Sequence, residues 1–431
     1  MTPSPSTDDA SARFEILTEL GSGGMASVHL ARARAAGGFQ KWVAIKRIHP
    51  HLAKEDDFVA MFLDEARIAA QLHHPNVAQV FELGRLRDDW FLAMEYLHGE
   101  SLDRVLKRLH ERDRRMPLAL AAYVVAQVAS GLHHAHEARG QDGQPMQLVH
   151  RDVTPHNVLV TFDGHVKLTD FGVAKAAGRL TKTVTGTMKG KMAYASPEQL
   201  AGEELDRRSD VFALGVVLWE ACTATRLFRG ASDAETVQRI LSGRRQPIGA
   251  HRDDVPAALE EVAARALAQD PEDRYPTAAA MADALQAFLR SVPAVGAADL
   301  ATLLDEELGD EKAAKESLLA AGGTLEGVEG TRTDVDLPVE RSPAEASPTD
   351  PVAVAEATRP ASTLGAEPTR SMEEQTPPRR ALAWIVVAAV LALAVLAATQ
   401  LVPSAAPPRL RVASSPEGGQ VFVDDRALGR A

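Results

Sequence analysis

Four short stretches of this chain hold residue types that could do chemistry at the spacing in which they occur. The first is His150-Arg151-Asp152-Val153-Thr154-Pro155-His156-Asn157, which sets an aspartate and an asparagine five residues apart. As a stability device such an acid would be poor, because unpaired acids are costly to desolvate. It suits a site that accepts a hydroxyl proton and holds a metal ion. The second stretch is Asp170-Phe171-Gly172, thirteen residues after Asn157. The third is Lys46, which closes the apolar run Val43-Ala44-Ile45. The fourth is the turn Gly21-Ser22-Gly23-Gly24. Its glycines let backbone N–H groups approach phosphate oxygens with no Cβ in the way. Alone, the turn reads as a plain hairpin and the lysine as one that snorkels to solvent.

The elements that must position these groups follow a clear order. Phe14 to Leu30 reads as strand, turn and strand, and Val43–Lys46 as a further strand. Asp56–Leu72 carries apolar residues at helical spacing, and His74-Pro75-Asn76 ends it. Val77–Phe81 and Trp90–Glu95 read as two more strands. From Ser101 the pattern turns helical, with a long apolar helix over Leu118–His136. Val158–Val160 and His165–Leu168 alternate like a hairpin with Asp163-Gly164 at its turn. Asp210–Glu220 opens a strongly apolar helix, and the helical pattern fades near Leu289. The close histidines His133, His134 and His136 invite a metal reading, which the lack of a nearby cysteine or carboxylate set argues against.

In this order the stretches resemble the bacterial eukaryotic-like (Hanks-type) Ser/Thr protein kinases. Their catalytic loop reads H-R-D-x-x-x-x-N, their metal motif D-F-G, their lysine strand V-A-I-K and their phosphate loop G-x-G-x-x-G-x-V. Here Ala26 replaces the third glycine of that loop. The resemblance implies an α+β, bilobal fold with a small β-rich lobe and a larger helical lobe. It implies ATP and Mg2+ as cofactors and proteins as substrates. ATP would lie against Gly21, Gly23, Val28, Ala44, Lys46, Glu65 and the backbone of Glu95 and Leu97, with Met94 as gatekeeper. Glu65 would pair with Lys46, Asp152 would be the catalytic base, and Asn157 and Asp170 would hold Mg2+. Glu198, in Ser196-Pro197-Glu198, would form a buried ion pair with Arg274 of Asp270-Pro271-Glu272-Asp273-Arg274.

The chain departs from the family at two further places. Thr154 stands where Ser/Thr kinases usually carry a lysine, and Lys191 stands where they usually carry a threonine. The two are read as having exchanged roles, with Lys191 as a catalytic residue that brings an ammonium to the transferring phosphate. Thr181, Thr183, Thr185 and Thr187 lie in the segment of the activation loop, where phosphate could pair with Arg151. Two other functions compete with an active kinase: a pseudokinase scaffold, and an extracytoplasmic binding protein with a secondary kinase-like part. The filled catalytic positions argue against the first and the short tail against the second.

Composition bounds the remainder. The chain has 431 residues and a net charge of −12, but Ser291–Arg380 alone holds 18 acidic and 8 basic residues. What is left is near neutral, which gives no reason to expect nucleic-acid binding. The lone cysteine, Cys222, excludes an intramolecular disulfide and fits a reducing compartment. Residues 1–13 are expected to be a disordered N-terminus without a secretory signal, and 14–290 the kinase domain. Residues 291–380, without Phe, Trp or Tyr, read as a disordered acidic linker with room for a short helix around Leu300–Ala321. Residues 381–402 carry no charge, and 22 residues at ~1.5 Å each reach about 33 Å, enough to cross a membrane. Arg379-Arg380 before that span favours a cytoplasmic N-terminal side, hence a single-pass inner-membrane protein with its kinase domain in the cytoplasm. Residues 403–431 form an extracytoplasmic tail that resembles part of a PEGA-type β module. Whether the protein works as a homodimer is left open by the sequence.

Overall fold

Alternation along the strand β3 (Gln40–Ile48) decides how the small lobe is layered. Val43 and Ile45 point to one face, where they pack with Phe14, Ala31, Phe91 and Ala93. Ile48, on the other face, packs with Leu52, Phe62, Ala66, Val80 and Leu92. The structure, a computed structural model, describes residues 13–86, 89–140, 142–171, 191–322, 411–413, 420–423 and 426–430. With β1 (Phe14–Ser22), β2 (Ala26–Arg34), β4 (Val80–Leu86) and β5 (Asp89–Glu95), β3 forms an antiparallel sheet of order β1-β2-β3-β5-β4. Helix α1 (Asp56–Ala69) supplies Phe62, Ala66 and Ala69 to the second face. The strand expected over Val77–Phe81 begins only at Val80. Val77 instead bridges to Leu168, and Asn76 Nδ2 donates to Val166 O at 3.0 Å, so this stretch ties the lobes together.

Residues 96–98 lead from β5 into the large lobe, which opens with β6 (Gly99–Ser101) and α2 (Leu102–Glu111). Ser101 caps α2 by accepting from Arg104 N at 3.2 Å. Helix α3 (Leu118–His136) is long and apolar enough to cross a membrane, but 67% of its apolar window is buried, as befits the central helix of a lobe. The hairpin β7 (Val158–Thr161) and β8 (Val166–Leu168) extends β6 into a three-stranded sheet. Then come α4 (Pro197–Ala201), α5 (Arg207–Thr223), α6 (Asp233–Ser242), α7 (Ala257–Ala266), α8 (Ala278–Leu289) and α9 (Ala297–Ala320). Every residue of α5 from Ser209 to Thr223 is buried, so this helix is the axle of the lobe.

The expected disordered linker needs correcting at its start. Residues 297–320 form a helix near the short one allowed for, and it is packed: Leu300, Leu303, Leu304 and Leu308 are buried in the core of the large lobe. Leucines at helical spacing bury enough surface here to order a stretch whose composition alone argues for disorder. The remaining linker, the apolar span 381–402 and the threonines 181–187 lie outside the described residues. The C-terminal unit is separate and shows three short antiparallel strands, β9 (Arg411–Ala413), β10 (Gln420–Val423) and β11 (Arg426–Arg430), in the order β11-β10-β9. The strand expected at Val421–Val423 lies within β10.

Candidate active site

Sheet register assembles the small-lobe half of the site. Val28 on β2 faces Lys46 on β3, which faces Leu92 on β5; one step along, Leu30, Ala44 and Met94 form the next row. Side chains opposite each other, or two apart, share a face. Val28, Ala44, Lys46 and Met94 therefore line one surface, beneath the turn that holds Gly21 and Gly23. That turn is closed by Gly23 N donating to Ala26 O at 2.9 Å, and no neighbour lies within 4 Å of where a Cβ at Gly21 would sit. Backbone at the turn thus remains open to approach, as the sequence requires. At the end of β5, Glu95 N donates to Gln79 O at 2.9 Å, and the Glu95 carboxylate takes Lys167 at 2.6 Å. Leu97, the other expected contact, is half-buried in the connecting segment.

Lys46 is the meeting point of the site. Its ammonium lies 2.7 Å from Glu65 Oε1 on α1 and 2.8 Å from Asp170 Oδ1. Burial works against its charge, yet Asp170 and then Glu65 together hold its pKa well above the ordinary lysine value. Glu65 is pushed up by burial, with Lys46 pulling the other way. The helix-borne glutamate is therefore swung inward onto the lysine, as the resemblance implies. Asp170 stands 44% exposed with φ of 54°, a left-handed conformation that aspartate tolerates better than most residues. The next residue, Phe171, is buried with its ring centroid 4.6 Å from that of His150.

The catalytic-loop stretch is held from below. Asn157 Nδ2 donates to Asp152 O at 2.7 Å and to Asp152 Oδ2 at 3.0 Å, which joins the two residues the sequence singled out. Thr169 N donates to Asn157 O at 2.9 Å, bringing the Asp170 strand end alongside. The carboxylate of Asp170 and the carboxamide of Asn157 are hard oxygen donors, a set that fits Mg2+ rather than a softer metal. Arg151 adopts φ of 63°. The reason is Asp210, at the start of α5, which sequence reasoning read only as the opening of an apolar helix. Its carboxylate accepts from His150 N at 2.7 Å, Arg151 N at 2.8 Å and His136 Nε2 at 2.8 Å. Burial would raise the pKa of Asp210, but His136 first, then His150 and the backbone bonds, hold it below the usual carboxylate range. His150 itself is pushed below the ordinary histidine value by burial. One buried acid thus fixes two consecutive amides of the loop.

The remaining expected residues fall as follows. Thr154 is 1% exposed, and among the described residues its Oγ1 has no hydrogen-bond partner. Lys191 begins the 3-10 turn Lys191–Tyr194, and its side chain lies outside the described residues. Glu198 and Arg274 form the expected buried pair, bidentate at 2.7 and 2.8 Å. His136 is committed to Asp210, and His134 stacks on His74 with ring centroids 5.1 Å apart.

Comparison with known proteins agrees with this geometry. A family model described as "Protein kinase domain" matches residues 14–286. The tyrosine-protein kinase MasK of Myxococcus xanthus is 44% identical over 313 residues, 72% of this chain and 48% of that protein. The serine/threonine-protein kinase PrkC of Bacillus subtilis is 35% identical over 64% of this chain and 41% of its own length. The serine/threonine-protein kinase PknB of Mycobacterium leprae is 34% identical over 65% of this chain and 43% of its own. The chain therefore spans less than half the length of these curated relatives.

Proposed function

The chain belongs to the protein kinase family, and from that premise we propose that it is a membrane-anchored serine/threonine kinase acting on proteins. It moves the γ-phosphoryl group of ATP to side-chain hydroxyls. The observation that carries this reading is the contact of Lys46 with both Glu65 and Asp170, beside the hydrogen-bonded Asp152–Asn157 pair. All four polar positions of the machinery are filled, which argues against a pseudokinase scaffold.

Each residue has work that matches its setting. Lys46, kept protonated by its two acids, binds and orients the α- and β-phosphates. Asp152 orients the incoming hydroxyl and takes its proton, with Asn157 holding the carboxylate in place. Asn157 and Asp170 are the residues that would hold Mg2+, which supplies charge neutralisation at the phosphate oxygens. Glycines 21 and 23 leave backbone amides open to the phosphates, and Val28, Ala44 and Leu97 enclose the base. Transfer of this kind rests on positioning and electrostatics, so residues scattered from Gly21 to Asp170 are all needed.

The acceptor is less constrained than the donor. Thr154 in place of the usual lysine, together with the name of the 44%-identical relative, favours a second reading in which tyrosine is phosphorylated. Incubation of the protein with labelled ATP and Mg2+, followed by acid hydrolysis, distinguishes the two. Phosphoserine or phosphothreonine supports the first reading, and phosphotyrosine alone overturns it. Under the first reading Lys191 supplies the ammonium that Thr154 cannot. Unchanged turnover in Lys191→Ala would end that idea, and Thr154→Lys with Lys191→Thr should recover activity if it holds. Autophosphorylation among Thr181, Thr183, Thr185 and Thr187, the membrane span 381–402, a PEGA-like tail and homodimer formation complete the proposal.

A further inference from the structure

Helix α9 lies beyond the region that the family model matches, yet it is bolted to both lobes. Its first turn abuts the β7–β8 hairpin: a Cβ on Gly164 would lie 1.8 Å from Ala297 O. Along its length it faces α2. Glu311 pairs with Arg104 at 3.0 Å and with Arg108, Glu307 with Arg112 at 3.4 Å, and Glu306 with Arg114 at 3.1 Å. Farther on, Lys315 Nζ donates to Gly99 O at 2.6 Å and pairs with Glu100 at 2.6 Å. Gly99 is the first residue of the large lobe after the connecting segment, and it lies against Val160 so closely that no Cβ would fit. Beyond the helix end, Gly322 turns the chain at φ of 73°, and its carbonyl accepts from Arg32 Nη2 on β2 at 2.5 Å.

The geometry crosses the connection between the lobes. Arg32 belongs to the small lobe, and every other partner of α9 named above belongs to the large one. A guanidinium that donates to a backbone carbonyl makes a charge-assisted hydrogen bond, stronger than a neutral one. Helix α9 is kinked at Leu308, whose φ of −129° and ψ of 25° are not helical, so its two halves run against α2 and toward Gly99 in turn. Inside the cleft, Lys46 and Asp170 make the corresponding tie between lobes. Opening the lobes would stretch both.

We propose that Lys315 and the Arg32–Gly322 contact are positioning residues for ATP, supplied by a helix outside the family region. Lys315 fixes the connecting segment at Gly99, and Arg32 limits how far β2 and its glycine turn can lift from the large lobe. The inference rests on the reading of the cleft as an ATP site. Its consequence is that nucleotide affinity depends on residues 297–322, which a kinase domain cut at 290 would lack.

The test uses the full chain and measures binding of a non-hydrolysable ATP analogue with Mg2+, together with KM for ATP, kcat and Tm. Arg32→Ala and Lys315→Ala are each expected to weaken analogue binding and raise KM for ATP about tenfold, with kcat falling less than threefold. Arg32→Lys and Lys315→Arg should restore most of the loss. Gly322→Ala attacks the same contact from the other side, because its Cβ would lie 2.8 Å from Arg32 Nη2. Combined with Arg32→Ala it should add nothing further. Unchanged affinity in the variants, whether or not Tm falls, overturns the proposal, as does an equal fall of kcat and affinity. A wild-type protein that binds no nucleotide would instead refute the ATP reading and remove the proposal with it.

Discussion

Replacing Arg274 by methionine strands a buried acid, and the cost can be worked from the structure. Arg274 is 1% exposed and bidentate to Glu198, which is 6% exposed. Burial alone would raise the Glu198 pKa, but Arg274, then Ser209, hold it down to about 2 from an ordinary 4.5. At 1.36 kcal/mol per pKa unit, the depression stabilises the folded state by about 3 kcal/mol at neutral pH. Arg274 also donates to Ala268 O, Arg208 O and Gln269 O at 2.8 to 3.1 Å, so the full loss should reach ~4 kcal/mol. Because the folded pKa is depressed, the Glu198 contribution is complete above pH 4.5 and disappears as pH falls toward 2. Less than half of it should remain at pH 3. Urea unfolding of wild type and Arg274→Met from pH 7.5 to pH 3 measures the gap. A gap below about 1 kcal/mol at pH 7.5 would refute the reasoning. So would a gap that stays constant down to pH 3.

Other residues give sharper readouts of single functions. Asp210→Ala removes the acceptor for two loop amides, so kcat should fall at least tenfold while KM for ATP changes little; steady-state kinetics checks this. Lys46→Met removes the cation from between Glu65 and Asp170, and isothermal titration should show ATP affinity lost while the protein stays folded. Leu304→Ala empties a fully buried site on α9 and should cost ~2–5 kcal/mol in urea unfolding. A value near zero would mean that α9 does not pack as described.

Motifs made the cleft legible because each is local. Lys46, Asp152, Asn157 and Asp170 sit in short runs whose order is distinctive, and the structure joins them as that order implies. Asp210 was hidden for the opposite reason: its partners His136, His150 and Arg151 lie 59 to 74 residues away. The only local signal was an acid at the head of an otherwise apolar helix. Helix α9 shows how composition can mislead. Its leucines repeat at helical spacing, but they lie in a long acidic, aromatic-free segment. The arginines that balance Glu306, Glu307 and Glu311 come about two hundred residues earlier, from α2 and just beyond it. The start of β4 slipped because Val77 looks like strand yet bridges to Leu168 of β8, beside Asn76, which donates to Val166.

The central claim is that Asp152 takes the hydroxyl proton in a site whose other parts bind ATP. It is tested most directly by giving the full chain and its Asp152→Asn variant labelled ATP and Mg2+ in parallel. Nucleotide binding by both, with label transferred to protein hydroxyls by the wild type and reduced at least a hundredfold in the variant, is the expected result. Equal labelling of the two proteins, or ATP binding by the wild type with no transfer at all, would contradict it.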